Sequence, residues 1–496
     1  MNDKHETGAP AVAAASSGAD SAKAGWGDLF RGEYAIYTVM VMLGVVLFSL
    51  QILIIVTIMP TVVGDIGGAS YYVWASMLYQ VGSIVGAATI GPVWRAVGIR
   101  GGFFVASTFY ALGTLGCALA PDMLALNIAR TVQGYAGGLI TGGTMGLVSR
   151  LFQPGQRTRV LAIYQGTWTI CSLLGPFFGG AFAEIGWWRG SFWVSLPFAL
   201  IFGGIAWWKL PKGLGQTPSR GDERPQIPLL RLALLAFGVL GVAEAGQLRG
   251  SVWVGALLVV SLGLVWGSFK IDAREKHRLF PTGPLSVTRA IGLVYWLLII
   301  GGGVQAAISI FMPLALQVAH EVTPLLVGVA NLIISIAWTI STFLVSGWSN
   351  ARERFALNSG PVFMVVSLLM LLTTVYGGTL VVLFAAMFVF GWGIGIHNVH
   401  LGARVMGAAL KGEEAVTASS MSMVRSLGGA IGTAAAGVVA NIAGLGEHID
   451  SAAAVNHAVL AVYVSSLVPL AFMVVFIMRL TRLVVPRTAP AGAGPT

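Results

Sequence analysis

The amino-acid sequence predicts an all-α polytopic membrane protein, and three observations point to this fold class. Of the 496 residues, 56% are hydrophobic, only 10% are charged, and long apolar segments recur along the chain. Soluble domains carry about 25% charged residues, so a surface with so few charges would not stay dissolved in water. Lipid must therefore surround most of the chain. The 66 glycines agree with this, because small residues let membrane helices approach closely.

The apolar segments recur fourteen times, each about long enough to cross ~30 Å of hydrocarbon. Only helices satisfy their own backbone hydrogen bonds over such lengths in lipid. The predicted membrane helices are 34–59, 73–94, 101–120, 124–150, 160–184, 188–209, 229–248, 251–270, 289–317, 324–348, 358–377, 379–406, 415–444 and 456–481.

Positive charge alternates between successive connections. With both chain ends in the cytoplasm, Arg and Lys concentrate in the inner connections and tails. The outer connections carry mainly Asp and Glu, with Arg189 and Arg249 as the exceptions. Adding or removing one helix would break this alternation, so the sequence predicts fourteen crossings. The formal charge of +10 therefore reflects membrane orientation, and nucleic-acid binding is not expected.

The helices divide into six, two and six. We expect a disordered cytoplasmic N-tail at 1–33, an N-terminal six-helix bundle at 34–210, and a C-terminal six-helix bundle at 289–482. Residues 211–288 supply cytoplasmic connectors and two additional transmembrane helices, and 483–496 form a cytoplasmic C-tail. This arrangement is typical of transporters whose halves are related by pseudo-symmetry.

Several short motifs occur in order on the predicted helices. They are Ala-Arg130-Thr-Val-Gln133-Gly134, Gly175-Pro176-Phe-Phe-Gly179-Gly180, Phe311-Met-Pro313-Leu-Ala-Leu-Gln317, Thr323-Pro324-Leu-Leu-Val-Gly328 and Arg425-Ser-Leu-Gly428-Gly429-Ala-Ile-Gly432. In this order they resemble the major facilitator superfamily, and most closely its fourteen-helix drug:proton antiporter branch, from about residue 34 to 482. The resemblance implies two six-helix bundles that rock around a midplane site.

The loop motif of this family departs from its usual form. Between the second and third helices the family has Gly-x-x-x-Asp-Arg-x-Gly-Arg, whereas this chain has Gly91-Pro-Val-Trp-Arg95-Ala-Val-Gly98-Ile-Arg100. An arginine stands where the aspartate is usual. We expect the tight turn at Gly91 and Gly98 to persist, with different charge contacts to neighbouring helices.

The first helix lacks the acid that the antiporter branch usually carries there. When Ile58-Met59-Pro60 is aligned with the family's Ala-Leu-Pro ending, Gln51 takes the position of the acid. Glutamine does not titrate, so a standard proton site is missing at this position.

Ionisable side chains at membrane depth are functional candidates because their burial is costly. Arg130 is the first, and it could hold an anionic substrate group or influence a proton site elsewhere, with Gln133 and Gln51 in its network. The alternative is a structural role, in which Arg130 bonds carbonyls or amides of a neighbouring helix. Arg425 either lines the cavity, or it contributes to helix packing or extends its charge to the lipid head groups.

His397 and His400 are candidate proton carriers, three residues apart and so on one helix face. Histidine has a reference pKa near 6.5 and exchanges protons at physiological pH. The alternative is that both are hydrogen-bonded structural residues. Uncharged candidates for the cavity wall are Asn331, Gln305 and Trp168.

Neither a metal nor a cofactor is expected. Cys117 and Cys171 lie in apolar runs without CxxC spacing, and the two histidines lack a third ligand. No GxxxxGK[ST] motif occurs, which argues against transport driven by ATP.

The cavity candidates include two arginines and two histidines but no clear carboxylate. This composition disfavours lipophilic cations, which need a buried acid as partner. We therefore expect a monomeric secondary active transporter, not an enzyme, that exports anionic or neutral amphipathic small molecules by alternating access with protons as coupling ion. Its surroundings would be the lipid of a bacterial inner membrane.

Other functions remain open. The chain could be a standard multidrug:proton antiporter with its proton site elsewhere, a proton-coupled importer of organic anions, or an uncoupled facilitator or lipid translocator. A receptor or scaffold would need a soluble sensor domain, and neither tail nor loop is long enough to form one.

Overall fold

The computed structural model describes most of the chain. The described residues are 26–152, 154–211, 228–245, 248, 251–275, 278–346, 348, 350–375, 377, 379–410, 413–445 and 451–483. Residues 1–25 of the predicted N-tail, 212–227 of the predicted connectors and 484–496 of the predicted C-tail lie outside this part.

Within the described part, the regular structure is helical, and a helical segment lies at each of the fourteen predicted positions. The helices are α1 (Gly32–Ile66), α2 (Trp74–Ala118), α3 (Met123–Leu151), α4 (Pro154–Glu184), α5 (Gly190–Trp193), α6 (Ser195–Lys209), α7 (Leu229–Ala245), α8 (Ser251–Asp272), α9 (Ala290–Leu314), α10 (Pro324–Val345), α11 (Asn350–Thr374), α12 (Leu380–Ala408), α13 (Glu414–Ile442) and α14 (Ala452–Arg482).

Ten described spans are long and apolar enough to cross a membrane. One of them runs over Ala69–Ala118 and covers two predicted crossings, while α3, α4 and α7 fall outside the ten. The prediction of a polytopic helical membrane protein is thus confirmed. The number of fourteen crossings stays a prediction.

Ordered structure starts earlier than the sequence predicted. Residues 26–33 were expected to belong to a disordered tail, but Trp26–Phe30 form a short 3₁₀ helix and α1 begins at Gly32. Leu29 is fully buried, and its carbonyl accepts a hydrogen bond from Thr38 Oγ1 at 2.9 Å. A single buried leucine after a long Ala-, Ser- and Gly-rich stretch gives too weak a sequence signal to predict this contact.

The second and third predicted helices form one element, α2, which is broken at Gly98. Gly98 has φ 74° and ψ 169°, a conformation that L side chains rarely adopt. Gly91 lies inside the helical part. The turn predicted at both glycines therefore occurs at Gly98 only.

The apolar cores show how the two halves, α1–α6 and α9–α14, are joined. The largest core combines buried side chains of both halves, such as Ile58 and Val81 from the first and Phe311 and Val327 from the second. A second core lies in the first half alone, and a third, around Val345, Ala356 and Ile396, lies in the second half alone.

The first half contributes to the shared core from the end of the bundle where α1 ends and α2 begins, which we call the joined end. Hydrogen bonds between the halves concentrate there. They run from Tyr72 Oη to the Ile310 carbonyl (3.1 Å), from Gln317 Nε2 to the Thr57 carbonyl (3.1 Å), and from Asn441 Nδ2 to the Ser70 carbonyl (3.1 Å). At the opposite end, which we call the open end, the buried side chains of the first half form the second core, which includes no residue of the second half.

In the additional pair, α7 and α8 pack against each other, and α7 packs against α13 and α2, one helix from each half. A buried ion pair between Arg231 of α7 and Asp272 of α8 fastens the pair. The other carboxylate contacts of Asp272 are hydrogen bonds from the amides of Leu279 (2.8 Å) and Phe280 (3.0 Å). One aspartate therefore organises the open-end side of both helices and the chain that follows.

The segment that follows α8 is also bound to the start of α13. The Glu413 carboxylate accepts hydrogen bonds from the Thr282 amide (2.9 Å) and hydroxyl (2.5 Å), and Arg278 lies 3.7 Å away. Burial alone would raise the pKa of Glu413, but these hydrogen bonds and the Arg278 charge hold that pKa below its usual value. The carboxylate thus stays charged and bound at neutral pH.

We predict that Arg231→Ala lowers stability by about 3–5 kcal/mol, because it leaves Asp272 as a buried charge without its cation. The double variant R231M/D272N removes both charges and keeps an acceptor for the Leu279 amide, so it should lose less. Apparent melting temperatures of the detergent-purified proteins check this order. A single variant at least as stable as the double variant would contradict it.

Candidate functional site

Arg130, in the first third of α3, is completely buried. Its Nε donates to the Ala75 carbonyl at 3.1 Å, Nη1 donates to Gln133 Oε1 at 2.6 Å, and Nη2 donates to the Gln51 carbonyl at 3.5 Å. The face of the Tyr79 ring lies 4.2 Å from the guanidinium carbon. No carboxylate among the described residues pairs with Arg130, so carbonyl and amide oxygens and one aromatic face stabilise its charge.

Gln133 and Gln51 extend this network into neighbouring helices. Gln133 Nε2 donates to Thr114 Oγ1 at 2.8 Å, and Gln51 Nε2 donates to Ser195 Oγ at 2.5 Å. The Gln51 side-chain oxygen is buried and has no hydrogen-bond partner in the structure. The three residues thus connect α1, α2, α3 and α6, which agrees with the structural alternative for Arg130.

Arg425, on α13, lies in different surroundings. The Asn398 side-chain oxygen accepts hydrogen bonds from both terminal nitrogens of Arg425, at 3.2 and 3.3 Å, in the amide orientation that its neighbours favour. The Trp338 ring lies 5.4 Å from the guanidinium carbon. Here too, no described carboxylate forms an ion pair with the cation.

A cavity adjoins Arg425 and is enclosed by four helices of the second half. We call it the Arg425 pocket. Its walls are Leu297, Leu298, Gly301, Gly302 and Gln305 from α9, Met364 from α11, Ile394, His397, Asn398 and Leu401 from α12, and Arg425 itself. The pocket measures about 10 Å³, which holds about one water molecule. Whole drug-sized ligands need about 300–1,000 Å³, so in this conformation the space holds no whole ligand.

The two histidines do not share an environment. His397 lines the Arg425 pocket, packs against Gly360 of α11, and its Nδ1 lies 2.6 Å from the Gly393 carbonyl oxygen. His400, one turn later, is not among the pocket residues, and its buried Nε2 has no hydrogen-bond partner. Only His397 is therefore placed to exchange a proton with a group in this cavity.

The uncharged candidates are also dispersed. Gln305 lines the Arg425 pocket. Asn331 is buried in α10 and donates to the Val327 carbonyl of its own helix at 3.3 Å. Trp168 belongs to the other half, where its ring centroid lies 6.1 Å from that of Phe48. Of these three, the structure brings only Gln305 to the pocket.

The glycine–proline motif places α4 against α1 and α10 at once. A Cβ atom at Gly175 would lie 2.9 Å from Leu53 Cβ, and one at Gly179 would lie 3.1 Å from the Ile54 carbonyl oxygen, both on α1. Gly134 plays the same role between α3 and α2, since a Cβ there would collide with the Tyr79 backbone.

Between α4 and α10 the close approach is reciprocal. A Cβ at Gly180 would lie 2.5 Å from the Pro324 carbonyl oxygen, and one at Gly328 would lie 2.5 Å from the Pro176 carbonyl oxygen. The backbones of the two halves thus touch, with a glycine facing a proline twice. The Leu325 amide, in the first turn of α10, also donates to Glu184 of α4 at 3.2 Å.

The arginines of the altered loop motif lie outside both polar clusters. Arg95 is exposed on the surface of α2. The Arg100 guanidinium lies over the Trp207 ring of α6, 4.5 Å from its centroid. The charge contacts of this motif are therefore local to the first half in this conformation.

Several contacts were missed by the sequence reasoning. Tyr79 and Ser195 carry no charge and stand in no recognised motif, so nothing indicated that they would meet Arg130 and Gln51. Gln317 stands in a recognised motif but was given no role. It lies in a π-helical segment, Ala315–Ala319, and such segments are frequent at functional sites.

The described part of the chain contains no group of three or more His, Cys, Asp or Glu side chains that could hold a metal ion.

Comparison with known proteins gives consistent matches. A family model described as Major Facilitator Superfamily matches residues 41–433. A protein named a probable multidrug-efflux transporter, from Mycobacterium tuberculosis strains CDC 1551 / Oshkosh and ATCC 25618 / H37Rv, is 29% identical over 428 residues, or 82% of this chain and 87% of the relative. A dehydrocurvularin exporter of Alternaria cinerariae is 24% identical over 405 residues, or 78% of this chain and 68% of the relative.

Among solved structures, the peptide transporter POT in complex with sulfate has the same fold. It aligns with a TM-score of 0.65 at 15% identity and covers 92% of this chain and 97% of its own.

The family match spans most of the chain and includes α3, α4, α9 and α10, where the motifs lie. These relatives and this family are transporters and not enzymes. The chain therefore belongs to the Major Facilitator Superfamily.

Proposed function

We propose that this protein is a proton-coupled exporter of amphipathic anionic or neutral small molecules. The observation that carries the proposal is the Arg425 pocket, a cation with apolar walls and no carboxylate partner among the described residues. The names of the mycobacterial and fungal relatives support efflux. Within the family we assign the chain to the fourteen-helix drug:proton antiporter branch, acting as a monomer in a bacterial inner membrane with both termini cytoplasmic.

Alternating access requires one barrier that closes while the other opens. The joined end, which the charge distribution predicts to face outward, is the closed barrier of this conformation. Its contacts are backbone packing at Gly180 and Gly328, the shared apolar core, a few neutral hydrogen bonds, and the hydrogen bond from the Leu325 amide to the Glu184 carboxylate. Each neutral hydrogen bond contributes only about 0.5–1.5 kcal/mol, so the barrier opens without breaking a described ion pair between the halves.

Proton coupling needs a titratable group that a substrate influences. His397 is the candidate, because it lines the same pocket as Arg425. The apolar body of a substrate packed against His397 would exclude water and disfavour the protonated ring, and its departure would let the ring take up a proton again. The exchange of one proton and one substrate would follow from this opposition.

An uncoupled facilitator is the second candidate. It is favoured by Gln51, which cannot titrate and bonds Ser195 in a closed structural network. An importer would use the same pocket in the reverse direction, because the fold does not fix direction.

We predict that Gly180→Ala lowers the transport rate at least ~10-fold, because its methyl group would force the α4 and α10 backbones apart and weaken the closed barrier. Gly166→Ala, on the same helix but with nothing within 4 Å, is the matched control and should transport normally.

Spin labels at Pro121→Cys and Thr323→Cys, one on each half at the joined end, would report the distance between the halves. Gly180→Ala should lengthen this distance relative to Gly166→Ala. Equal distances and equal transport in the two variants would mean that the α4–α10 approach is not part of the barrier.

We predict that purified protein in proteoliposomes moves protons when a substrate is added. 1-Anilinonaphthalene-8-sulfonate, N-phenyl-1-naphthylamine and ethidium supply an anionic, a neutral and a cationic probe. A pH-sensitive dye inside the vesicles measures proton flux, and probe fluorescence measures substrate flux. His397→Gln should lower the ratio of protons to substrate, because the ring in the pocket is removed.

His457→Gln makes the same change at an exposed position on α14 and should leave the ratio unaltered. Substrate movement without proton flux in the unsubstituted protein would favour the facilitator. Transport of ethidium in preference to both other probes would contradict the proposed substrate class.

A further inference from the structure

The two membrane arginines differ in how completely their hydrogen-bonding capacity is used. Arg130 has no exposed surface and donates to three separate acceptors on α1, α2 and α3. The described contacts of Arg425 are one amide oxygen and one aromatic face, and its side chain borders a cavity. Arginine carries five N–H donors, so Arg425 retains donors for a ligand.

The position of the Asn398 oxygen indicates which chemical group these donors suit. It lies between both terminal nitrogens of Arg425, at 3.2 and 3.3 Å. This fork is where a carboxylate or similar anion forms two parallel hydrogen bonds with arginine. A neutral amide oxygen occupies the same place with a weaker interaction, so an anion that enters the pocket gains by replacing it.

The remaining walls suit an amphiphile. Leu297, Leu298, Met364, Ile394 and Leu401 are apolar, while Gln305 and His397 add polar groups. Gly302 lets α9 approach the Arg425 backbone, since a Cβ there would lie 2.8 Å from the Arg425 carbonyl oxygen. At about 10 Å³ the pocket holds about one water molecule, so an anionic head group enters only as the Asn398 amide gives up its place, and the apolar body of the ligand extends beyond the pocket.

We propose that Arg425 and Asn398 form a subsite for the anionic head group of the transported amphiphile, with Asn398 as the neutral substitute when the subsite is empty. This inference rests on the proposed transport function and narrows its substrate class. The anion is a sulfonate or carboxylate, which share two oxygens able to accept from the arginine fork. Neutral amphiphiles bind through the apolar walls alone and more weakly.

The test compares two probes with the same aromatic body. 1-Anilinonaphthalene-8-sulfonate carries a sulfonate that N-phenyl-1-naphthylamine lacks, and both fluoresce in apolar surroundings. Equilibrium binding to detergent-purified protein and flux in proteoliposomes are measured for each. The unsubstituted protein should bind the sulfonate probe about 10- to 100-fold more tightly, the range of a charge-assisted hydrogen-bonded pair.

Arg425→Gln should remove this preference while binding of the neutral probe stays within about twofold, and Arg425→Lys should restore part of it. Asn398→Asp fixes a carboxylate in the fork and should also remove the preference without loss of the arginine. Arg354→Gln removes a charge from the exposed surface of α11 and controls for the effect of net charge.

Equal loss of both probes in Arg425→Gln and Asn398→Asp would overturn the proposal and assign the pair to packing. A sulfonate preference that Arg354→Gln also removes would overturn it as well. Because binding is measured separately from flux, a sulfonate preference in binding without flux of either probe would contradict the transport function and leave the subsite standing. Flux of both probes without a preference for the sulfonate probe in binding would support the transport function and contradict the subsite.

Discussion

The close approach of two backbones between the halves is the constraint on which this structure depends. At Gly180 and Gly328 the helices α4 and α10 touch without side chains between them, each glycine against a proline carbonyl of the other helix. Lipid offers little hydrophobic gain for joining helices, so contact of this kind supplies the attraction through dispersion and shape. The shared apolar core and the hydrogen bonds of the joined end follow from that approach. The separate core of the first half at the open end follows from its absence there.

The positions of the helices could be predicted because a membrane imposes length and composition on each of them. The break at Gly98 was also predictable, since a glycine in a recognised loop motif marks a change of direction. The continuity of α2 on both sides of Gly98 was not predictable, because an apolar sequence with a short basic interruption is equally compatible with two helices joined by a loop. The buried 3₁₀ helix before α1 depends on the contacts of Leu29, which only the folded chain provides.

The site was predictable as a set of residue types but not as a set of contacts. Sequence reasoning selected both arginines by the cost of burying their charge, and it could not tell which of them borders a cavity. That difference arises from partners on other helices, with Tyr79 and Gln51 enclosing Arg130, and Asn398 and Trp338 flanking Arg425. His397 and His400 share a nominal helix face, yet their surroundings differ because Gly360 of α11 makes room for the His397 ring.

The missing acid beside Arg425 has an electrical consequence. Under the proposed exchange, a carrier whose pocket holds a cation but no described carboxylate would take up an anion without releasing another, so each cycle would move net charge. One elementary charge crossing a potential of 100 mV gains about 2.3 kcal/mol, equivalent to a concentration ratio of about 50. An outward-moving anion and an inward-moving proton carry current in the same direction, so the free energies that both gain from the membrane potential add. In a cell with a negative interior, the membrane voltage would then drive expulsion even when the inner and outer pH are equal.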